Sequence, residues 1–494
     1  MGPLVIAANR LPVEIGADGT FTSSPGGLAS ALASVTADGA SWVGWAGPDA
    51  AVVDDLVVGG TQLHPLRLSA GDEARYYRGF SNSVLWPLFH GRLRREEMNR
   101  TWWRTYRSVN ERFAIMISRV APKGATVWVH DYHLLLVPKL LRARRPDVRI
   151  GLFLHIPFPN AQLFSMLPWR QEVLAGMLGA DLVGFQVADD ADNFTATAQR
   201  LAGAQLDGTR LRVGSRRIEV DAFPISIDFA RWDALGVAAA DEATAHRAEL
   251  GGDHVFLGID RLDYTKGITQ RLQAFGELLD EGLLDTEHCT FVQVAVPSRS
   301  DVPAYQDERI EVEDLVAHIN ETHRRPDGTY PLMYIESSFD DTGLAGWYRA
   351  ADALVVTSLA DGMNLVAKEF VAARSDLGGV VIISEFAGAA RDLEGALVIN
   401  PYDIEAIKRA LVSALALTGV ERQRRMEAMR ATVRSHDVHH WARHFLERLE
   451  DVAPAGERAR SMRWRSASSR LRGYLSRHPR MAVPRRWWTR SPEV

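Results

Sequence analysis

Short apolar runs rich in β-branched residues recur along the chain, and longer amphipathic stretches separate them. Runs of this kind are typical of parallel strands buried on both faces, because crossover helices cover the sheet. The alternation predicts an α/β fold with two doubly wound, Rossmann-like domains. The predicted strands are LVIAAN, SWVGW, TVWVHDY, RIGLFLHI, DLVGFQ, VFLGID, TFVQVAV, LMYIES, ALVVTSL, GVVIIS and ALVINP.

The alternation of strand and helix weakens over residues 228–252, which are rich in alanine and contain no strand-like run. We place the domain junction there, which predicts an N-terminal domain of residues 1–237 and a C-terminal domain of residues 238–440. Residues 403–453 predict two long helices. The last part, residues 441–453, is expected to pack back across both domains.

Composition limits the classes of function. The chain has 494 residues and a net charge of −5, which argues against a nucleic-acid-binding protein. Residues 454–494 are Arg-rich and are predicted to form a tail. The single cysteine, Cys289, excludes an intrachain disulfide and a cysteine metal cluster. Since no apolar stretch is long enough for a signal peptide or a membrane span, we predict a cytoplasmic protein without a membrane partner.

The stretch ADGMNLVAKEF follows a predicted strand and begins a predicted helix. Asn364 is a good N-cap, and the amides of Leu365 and Val366 in the first turn have no acceptor within the helix. Because these amides also lie at the positive end of the helix dipole, they suit a phosphate. Gly362 allows close approach to the backbone, and Asp361 can accept hydrogen bonds from sugar hydroxyls. An ordinary strand, turn and capped helix would have the same pattern.

Two cations follow another predicted strand, in GIDRLDYTKGI. Arg261 and Lys266 are suited to holding phosphate oxygens from two sides, although a solvated charge pair on a surface turn has the same appearance. Only five residues of the chain are lysines, so a lysine in a motif is a mild indication of function. Glu369, further along the DGMN helix, could accept two hydrogen bonds from a ribose diol.

The first half of the chain has similar features at strand ends. Arg10 follows the first strand, and Asp131 and His155 follow two later ones. Gly26 and Gly27 precede a helical stretch, where paired glycines can expose amides to an anion.

The spacing of histidines suggests a metal site at two places, but the sequence favours neither. His130 and His133 lie in a strand-to-helix turn without a third ligand nearby in the sequence. A second group is explained more simply by an exposed helix face. It comprises His436, His439, His440 and His444. No metal is therefore predicted.

Taken together, eleven motifs resemble the trehalose-6-phosphate synthase family of retaining glycosyltransferases. The resemblance runs from about residue 4 to residue 453 in unbroken order. It implies the GT-B architecture, in which two Rossmann-like domains face a cleft. The motifs are NRLPV, SPGGL, FSNSVLWPLFH, HDYHLLLVPKLLR, FLHIPFP, DLVGFQ, RLDYTKG, PSRSDVPAY, DGMNLVAKEFVAAR, SEFAGAA and NPYD.

The resemblance implies transfer of glucose from a nucleoside-diphosphate glucose to glucose 6-phosphate, which gives α,α-trehalose 6-phosphate. Arg261 and Lys266 would hold the diphosphate and stabilise its growing charge. His155 would lie near the reacting carbon, and Asp131 would orient acceptor hydroxyls. The other implied donor contacts are Gly27, Asp361, Gly362, Met363, Asn364, Leu365, Val366 and Glu369. The other implied acceptor contacts are Arg10, Tyr77, Trp86 and Arg299.

The resemblance also implies a reaction without metal or cofactor, in which the departing phosphate takes the acceptor proton. Paired carboxylates, which glycosidases need, are then not required. The UDP, GDP and ADP forms of the donor are all compatible with the sequence, and so is a homo-oligomer.

Two other functions are considered. One is a pseudo-glycosyltransferase that couples cyclitols, and the other is a silent sugar-phosphate sensor. Intact sugar-contacting and phosphate-contacting positions favour the ordinary transfer. The chain departs from many family members before the DGMN run, where Ser358 and Ala360 replace the Pro and Arg of Pro-Leu-Arg.

Overall fold

The strands of the protein assemble into two large sheets and one small hairpin. The computed structural model describes residues 2–15, 21–23, 32, 39–47, 55–92, 98–208, 210–251, 253–299 and 302–452. All eleven predicted runs form strands at their expected places, and the mixed α/β fold with two parallel sheets is confirmed.

The first sheet has ten strands in the order β10-β11-β12-β9-β8-β7-β1-β4-β6-β5. Its central strands, from β12 to β6, are parallel, whereas β5, β10 and β11 pair antiparallel at the edges. The hairpin consists of β2 and β3. The strands are β1 (Leu4–Arg10), β2 (Val13–Ile15), β3 (Phe21–Ser23), β4 (Ser41–Trp45), β5 (Leu56–Val58), β6 (Thr61–Leu66), β7 (Thr126–His130), β8 (Arg149–Phe153), β9 (Leu182–Phe185), β10 (Gln205–Asp207), β11 (Arg210–Val213) and β12 (Arg216–Ala222).

The second sheet has six strands, all parallel, in the order β15-β14-β13-β16-β17-β18. The central strands are almost entirely buried, as their unbroken apolar sequences require. The strands are β13 (His254–Arg261), β14 (Cys289–Val296), β15 (Leu332–Ile335), β16 (Ala353–Val356), β17 (Val380–Ser384) and β18 (Leu397–Ile399).

Helices cover both sheets. A continuous helical segment spans Ala70–Asp72, the π-helical Glu73–Leu85 and Trp86–Phe89, and short 3₁₀ turns occur at Tyr132–Leu134 and Gly388–Arg391. The remaining helices are α1 (Arg100–Val120), α2 (Val137–Arg144), α3 (Ala161–Phe164), α4 (Arg170–Met177), α5 (Ala188–Ala202), α6 (Phe229–Ala238), α7 (Ala240–Leu250), α8 (Ile268–Asp280), α9 (Pro303–Thr322), α10 (Asp341–Ala350), α11 (Leu365–Ala373), α12 (Ile404–Ala416), α13 (Gly419–Ser435) and α14 (Val438–Glu450).

The C-terminal part contains three helices rather than the predicted two. Thr418 and Asp437 each begin a new helix, because their side chains accept hydrogen bonds from the amides of Glu421 and His440. These caps are visible in the sequence, but the prediction did not use them.

Helix α14 returns the chain to the first sheet. The ring of Phe445 stacks on Trp128 of β7, with centroids 4.8 Å apart. A Cβ atom on Gly151 or on Gly184 would lie only 2.7 Å from this ring. Two glycines in neighbouring strands therefore make room for the aromatic face of the last helix.

The junction between the two halves follows strand β12. Helix α6 packs against α10 and α11, and a Cβ atom on Gly236 would lie 2.0 Å from the carbonyl oxygen of Ala373. These contacts associate α6 with the second sheet. The boundary at residues 237 and 238 stays a prediction. None of the described helices combines the length and apolar character needed to cross a bilayer.

Candidate active site

Most of the predicted site residues lie in loops at the carboxyl ends of strands, where the two sheets face each other. In the second sheet these loops follow β13 and β16; in the first they follow β1, β7 and β8. The two sides touch directly, since a Cβ atom on Gly362 would lie 2.2 Å from the carbonyl oxygen of His155. The sequence predicted close approach of a ligand to Gly362; in this structure a backbone carbonyl from the opposite side approaches it.

Lys266 and Asp361 form an ion pair in the second half. The Nζ atom of Lys266 lies 2.6 Å from Oδ2 of Asp361, and both side chains are mostly buried. Burial alone would raise the pKa of Asp361, but the Lys266 ammonium, with smaller contributions from Asn364 and His90, outweighs burial and holds this pKa below its usual value. The same oxygen accepts hydrogen bonds from Asn364 Nδ2 at 3.2 Å and Ser358 Oγ at 3.3 Å. The pair therefore presents an ionised carboxylate and a cation side by side.

The loops after β13 and β16 are fixed to each other. Gly267 has φ +62°, and a Cβ atom there would lie 2.2 Å from the carbonyl oxygen of Thr357. The hydroxyl of Thr357 donates a hydrogen bond of 2.6 Å to the Gly267 carbonyl. Glycine is needed at this position both for its backbone conformation and for this close approach.

Helix α11 begins at the predicted cap. Asn364 has φ 82°, and its Oδ1 atom accepts a hydrogen bond of 3.0 Å from the amide of Ala367. Leu365 and Val366 occupy the first turn and are half-buried, so their amides lie at the positive end of the dipole. Met363 is buried beside them.

Glu369 lies on the same helix and contacts a residue that the sequence did not indicate. Its Oε2 atom accepts a hydrogen bond of 2.8 Å from the hydroxyl of Tyr348 in α10. Burial raises the pKa of Glu369 to about 7, and the Tyr348 hydroxyl only partly offsets this effect. The carboxyl group therefore changes protonation near neutral pH.

The first half contributes His155 and Asp131. Asp131 has φ 72°, and its Oδ1 atom accepts a hydrogen bond of 3.3 Å from the amide of His155. Burial raises the pKa of Asp131 to about 6. The Nε2 atom of His155 lies 3.0 Å from Nδ1 of His130, and burial lowers the pKa of His155 to about 3. This imidazole is thus neutral at physiological pH.

Aromatic rings and guanidinium groups form a second cluster. Arg10 lies 5.2 Å from the ring centroid of Trp45 and 5.6 Å from that of Tyr77. Arg261 lies 5.3 Å from the ring of Trp86, which is buried beneath it.

Arg299 also packs on the ring of Trp86, and it links the two halves of the molecule. Its Cζ atom lies 4.1 Å from the ring centroid, and Nη2 donates a hydrogen bond of 3.1 Å to the hydroxyl of Tyr132. Burial alone would raise the pKa of Tyr77, but the charges of Arg299 and Arg10 outweigh burial and lower it. Guanidinium groups from both halves thus converge on one aromatic surface.

The structure brings all but one of the predicted site residues into the facing loops and the adjoining helices. Gly27 lies outside the described residues. Sequence reasoning missed Tyr348, which follows no recognisable strand-end motif. It also assigned no role to Tyr305, the last residue of the motif PSRSDVPAY. It also missed Asp263, which is visible between Arg261 and Lys266 in RLDYTKG.

The two departures from the family pattern lie beside Asp361. The Ser358 hydroxyl donates to Asp361, which a proline could not do. Ala360 lines a cavity of about 460 Å³ together with residues of both halves, among them Phe158, Thr265 and Tyr402.

Among the described residues, one carboxylate group has metal-compatible spacing, and it lies away from this site. It consists of Glu277, Glu281 and Glu405. The ammonium of Lys408 occupies its centre, 2.9 Å from Glu405 and hydrogen-bonded to both other carboxylates. The Lys408 ammonium therefore offsets one of the three negative charges of this group.

Two facing α/β sheets, with a lysine–aspartate pair and a helix N-terminus on one side and an aromatic cluster with Arg10 on the other, define a glycosyltransferase of the GT-B architecture. Residues 3–451 match the model of glycosyltransferase family 20, and the chain belongs to this family. The resemblance found in the sequence is thereby confirmed.

Named relatives and solved structures agree with this assignment. A trehalose-6-phosphate synthase of Mycolicibacterium smegmatis is 47% identical over 471 residues, covering 92% of this chain and 93% of the relative. An α,α-trehalose-phosphate synthase (UDP-forming) from Burkholderia xenovorans, solved with glucose-6-phosphate, has a TM-score of 0.84 and 33% identity, covering 91% of this chain and 100% of that chain. A structure from E. coli, bound with UDP-2-fluoro glucose, has a TM-score of 0.82 and 32% identity, covering 92% and 100%.

Proposed function

We propose that this glycosyltransferase moves glucose from a nucleoside-diphosphate glucose to glucose 6-phosphate, with retention, to form α,α-trehalose 6-phosphate. The observation that carries the proposal is the presence of two separate cationic groups that face one cleft. Lys266 and the start of α11 lie on one side, and Arg10 lies on the other. One group suits a diphosphate and the other a phosphomonoester, as the two substrates require.

The donor binds to the second sheet in this proposal. Arg261 and Lys266 hold the diphosphate together with the first amides of α11, those of Leu365 and Val366. Gly27, which lies outside the described residues, is assigned to the diphosphate by the family resemblance alone, and Glu369 accepts hydrogen bonds from the ribose. The glucose hydroxyls bind to Asp361, Gly362, Met363 and Asn364.

The acceptor binds between the aromatic rings and the arginines. Arg10 and Arg299 receive the 6-phosphate, and the rings of Tyr77 and Trp86 bound the sugar. Asp131 orients an acceptor hydroxyl, since its carboxylate lies on the same side of the cleft.

The chemistry depends on electrostatic stabilisation rather than on a nucleophile. Arg261, Lys266 and the helix amides face the oxygen on which negative charge develops, and fixed donors of this kind give the largest catalytic effect in many transfers. The departing phosphate takes the acceptor proton. His155, neutral because of burial, lies near the reacting carbon as a hydrogen-bonding group. No metal or cofactor takes part in the proposed reaction.

A product assay tests the proposal. Purified protein is incubated with glucose 6-phosphate and, separately, with UDP-, GDP- or ADP-glucose in the presence of a chelator, and products are identified by mass spectrometry. We expect a disaccharide phosphate with at least one donor, and the preferred donor identifies the base.

The assay includes a variant and a matched control. Arg261→Ala is expected to lower turnover by about a hundredfold or more without unfolding, because this side chain is exposed. Arg409→Ala removes an exposed arginine far along the chain and should keep the full rate. Absence of product with every donor, while nucleotide still binds in calorimetry, would contradict the proposed function.

A further inference from the structure

Asp263 is a buried carboxylate between the two halves of the proposed site. Its side chain is 0% exposed, and it lies in the turn after β13, two residues after Arg261 and three before Lys266. No contact with either substrate is proposed for it. A buried carboxylate is costly unless its oxygens have partners, so its partners indicate its role.

One oxygen of Asp263 organises the donor side. Oδ1 accepts hydrogen bonds from the amide of Thr265 at 3.0 Å and from its hydroxyl at 2.9 Å. The Asp263 carbonyl also accepts the amide of Lys266 at 2.9 Å. These bonds shape the turn that presents Lys266 to Asp361.

The other oxygen of Asp263 reaches the acceptor side. Oδ2 accepts a hydrogen bond of 3.1 Å from the hydroxyl of Tyr305, and this hydroxyl in turn accepts one from Arg299 Nη1. The same Nη1 atom lies 3.6 Å from Oδ2. Arg299 continues across the cleft to the Tyr132 hydroxyl and to the ring of Trp86.

Electrostatics agree with this arrangement. Burial alone would raise the pKa of Asp263, yet this pKa is lowered. The charges of Arg299 and Arg261, the hydrogen bond from the Thr265 amide and the charge of Lys266 together outweigh burial and keep the carboxylate ionised. The carboxylate of Asp263 therefore lies among three cations. Arg261 and Lys266 are assigned to the donor, and Arg299 is assigned to the acceptor.

We propose that Asp263 is a positioning residue that sets the acceptor cation Arg299 and the donor cation Lys266 relative to each other. Oδ1 fixes the donor turn, and Oδ2 fixes Arg299 through Tyr305. This inference rests on the proposed function, because the two cations are assigned to substrates there. It predicts that the two oxygens can be disturbed separately.

Asp263→Asn disturbs mainly the acceptor side. The backbone amide of Thr265 can only donate, so the amide oxygen of the asparagine stays on that side and its NH2 group faces Tyr305 and Arg299. The Tyr305 hydroxyl then loses the acceptor to which it donates, and Arg299, which can only donate, loses its negatively charged neighbour. We expect the KM for glucose 6-phosphate to rise at least about tenfold, the size expected for loss of a hydrogen bond to a charged group. The KM for the donor should change less than about threefold.

Two further variants complete the test. Thr265→Val keeps the buried volume but removes one bond to Oδ1; it should worsen kcat or the donor KM by about threefold and leave the acceptor KM unchanged. Tyr305→Phe interrupts the path from Oδ2 to Arg299 and should raise the acceptor KM. In the double variant with Asp263→Asn, the effects should not add, because both changes break one path.

The measurement is a bisubstrate kinetic analysis of the full chain, with thermal melting to check folding. Equal increases of both KM values in Asp263→Asn, or an unchanged acceptor KM, would overturn the inference. If Asp263→Asn does not fold, an unchanged acceptor KM in Tyr305→Phe overturns it equally. Failure of the wild-type protein to form product would instead contradict the proposed function, so the two failures are distinguishable.

Discussion

Single side chains in the cleft have properties that depend on burial and on neighbouring charge. Asp361 stays ionised because Lys266 lies 2.6 Å away, whereas burial raises the pKa of Glu369 to about 7. Two carboxyl groups on adjoining segments thus differ in protonation at neutral pH. If Glu369 binds the donor as proposed, this difference predicts that donor binding depends on pH.

Donor affinity should increase as the pH rises through about 7. In the proposed donor site the ribose diol donates hydrogen bonds to the ionised carboxylate of Glu369, so binding should favour the deprotonated form. Between about pH 6 and about pH 8 the ionised fraction rises about tenfold, and the Kd should fall by the same factor. Calorimetry with the nucleoside-diphosphate glucose measures it, since its phosphates do not titrate in this range.

Glu369→Gln provides the control for this pH effect. The variant should bind more weakly at about pH 8 and show a nearly flat profile. If the variant keeps the wild-type slope, another group is responsible for the pH dependence.

Among the helices, α11 connects the proposed donor site with the segment that joins the two sheets. Its N-terminus, capped by Asn364, faces the cleft, and Glu369 contacts Tyr348. On another face of the helix, the buried Nζ atom of Lys368 donates hydrogen bonds to the carbonyl of Ile225 at 2.8 Å and to Asp392 at 2.6 Å. Hydrogen bonds therefore hold the helix on two faces: Glu369 binds Tyr348 on one, and Lys368 binds Ile225 and Asp392 on the other.

Lys368→Met should lower the free energy of unfolding by about 2–3 kcal/mol. Methionine fills the apolar volume but leaves the Ile225 carbonyl and Asp392 without their cation, and breaking a buried pair is costly. We expect a value below that of a fully buried pair, because the Asp392 side chain is 25% exposed. Denaturant unfolding measures the effect.

Lys139→Met is the matched control, since Lys139 is exposed on α2. It should change stability by less than about 0.5 kcal/mol. If Lys368→Met were as stable as Lys139→Met, the hydrogen bonds of Lys368 would make no net contribution to the free energy of unfolding.

In the whole molecule, the last helices connect the two sheets. Helix α13 packs against α11 and strand β17, and α14 then crosses to strand β8 of the first sheet. The rings of Trp441 and Phe445 lie next to Trp128, within 5.0 Å between centroids. The two sheets therefore share an apolar core as well as a cleft.

Phe445→Ala should destabilise the protein by about 3–5 kcal/mol, because it leaves a cavity between Gly151, Gly184 and Trp128. It should also separate thermal unfolding into two calorimetric transitions, since α14 no longer holds the sheets together. Glu447→Ala, on the exposed face of the same helix, should keep the wild-type melting profile. A single, unshifted transition in Phe445→Ala would contradict this role.

The sequence alone determined the features that depend on residues close together in the chain, namely strands and helix caps. Continuous apolar runs identified every central strand of the second sheet, and the cap at Asn364 followed from its place before an apolar helix. Strands β6 and β12 were missed, because TQLHPL and RRIEVDA contain polar or charged residues that the apolar pattern excludes. Motif order was enough to recognise the family.

The tertiary structure decided which distant side chains meet and which charges they carry. Lys266 and Asp361 are 95 residues apart, and Arg299 and Tyr132 are 167 apart, so no local pattern could pair them. Protonation likewise depends on burial by the whole fold, as for Glu369 and His155. Asp263 was visible in its motif, but its role became apparent only when folding placed Tyr305 and Arg299 on its second oxygen.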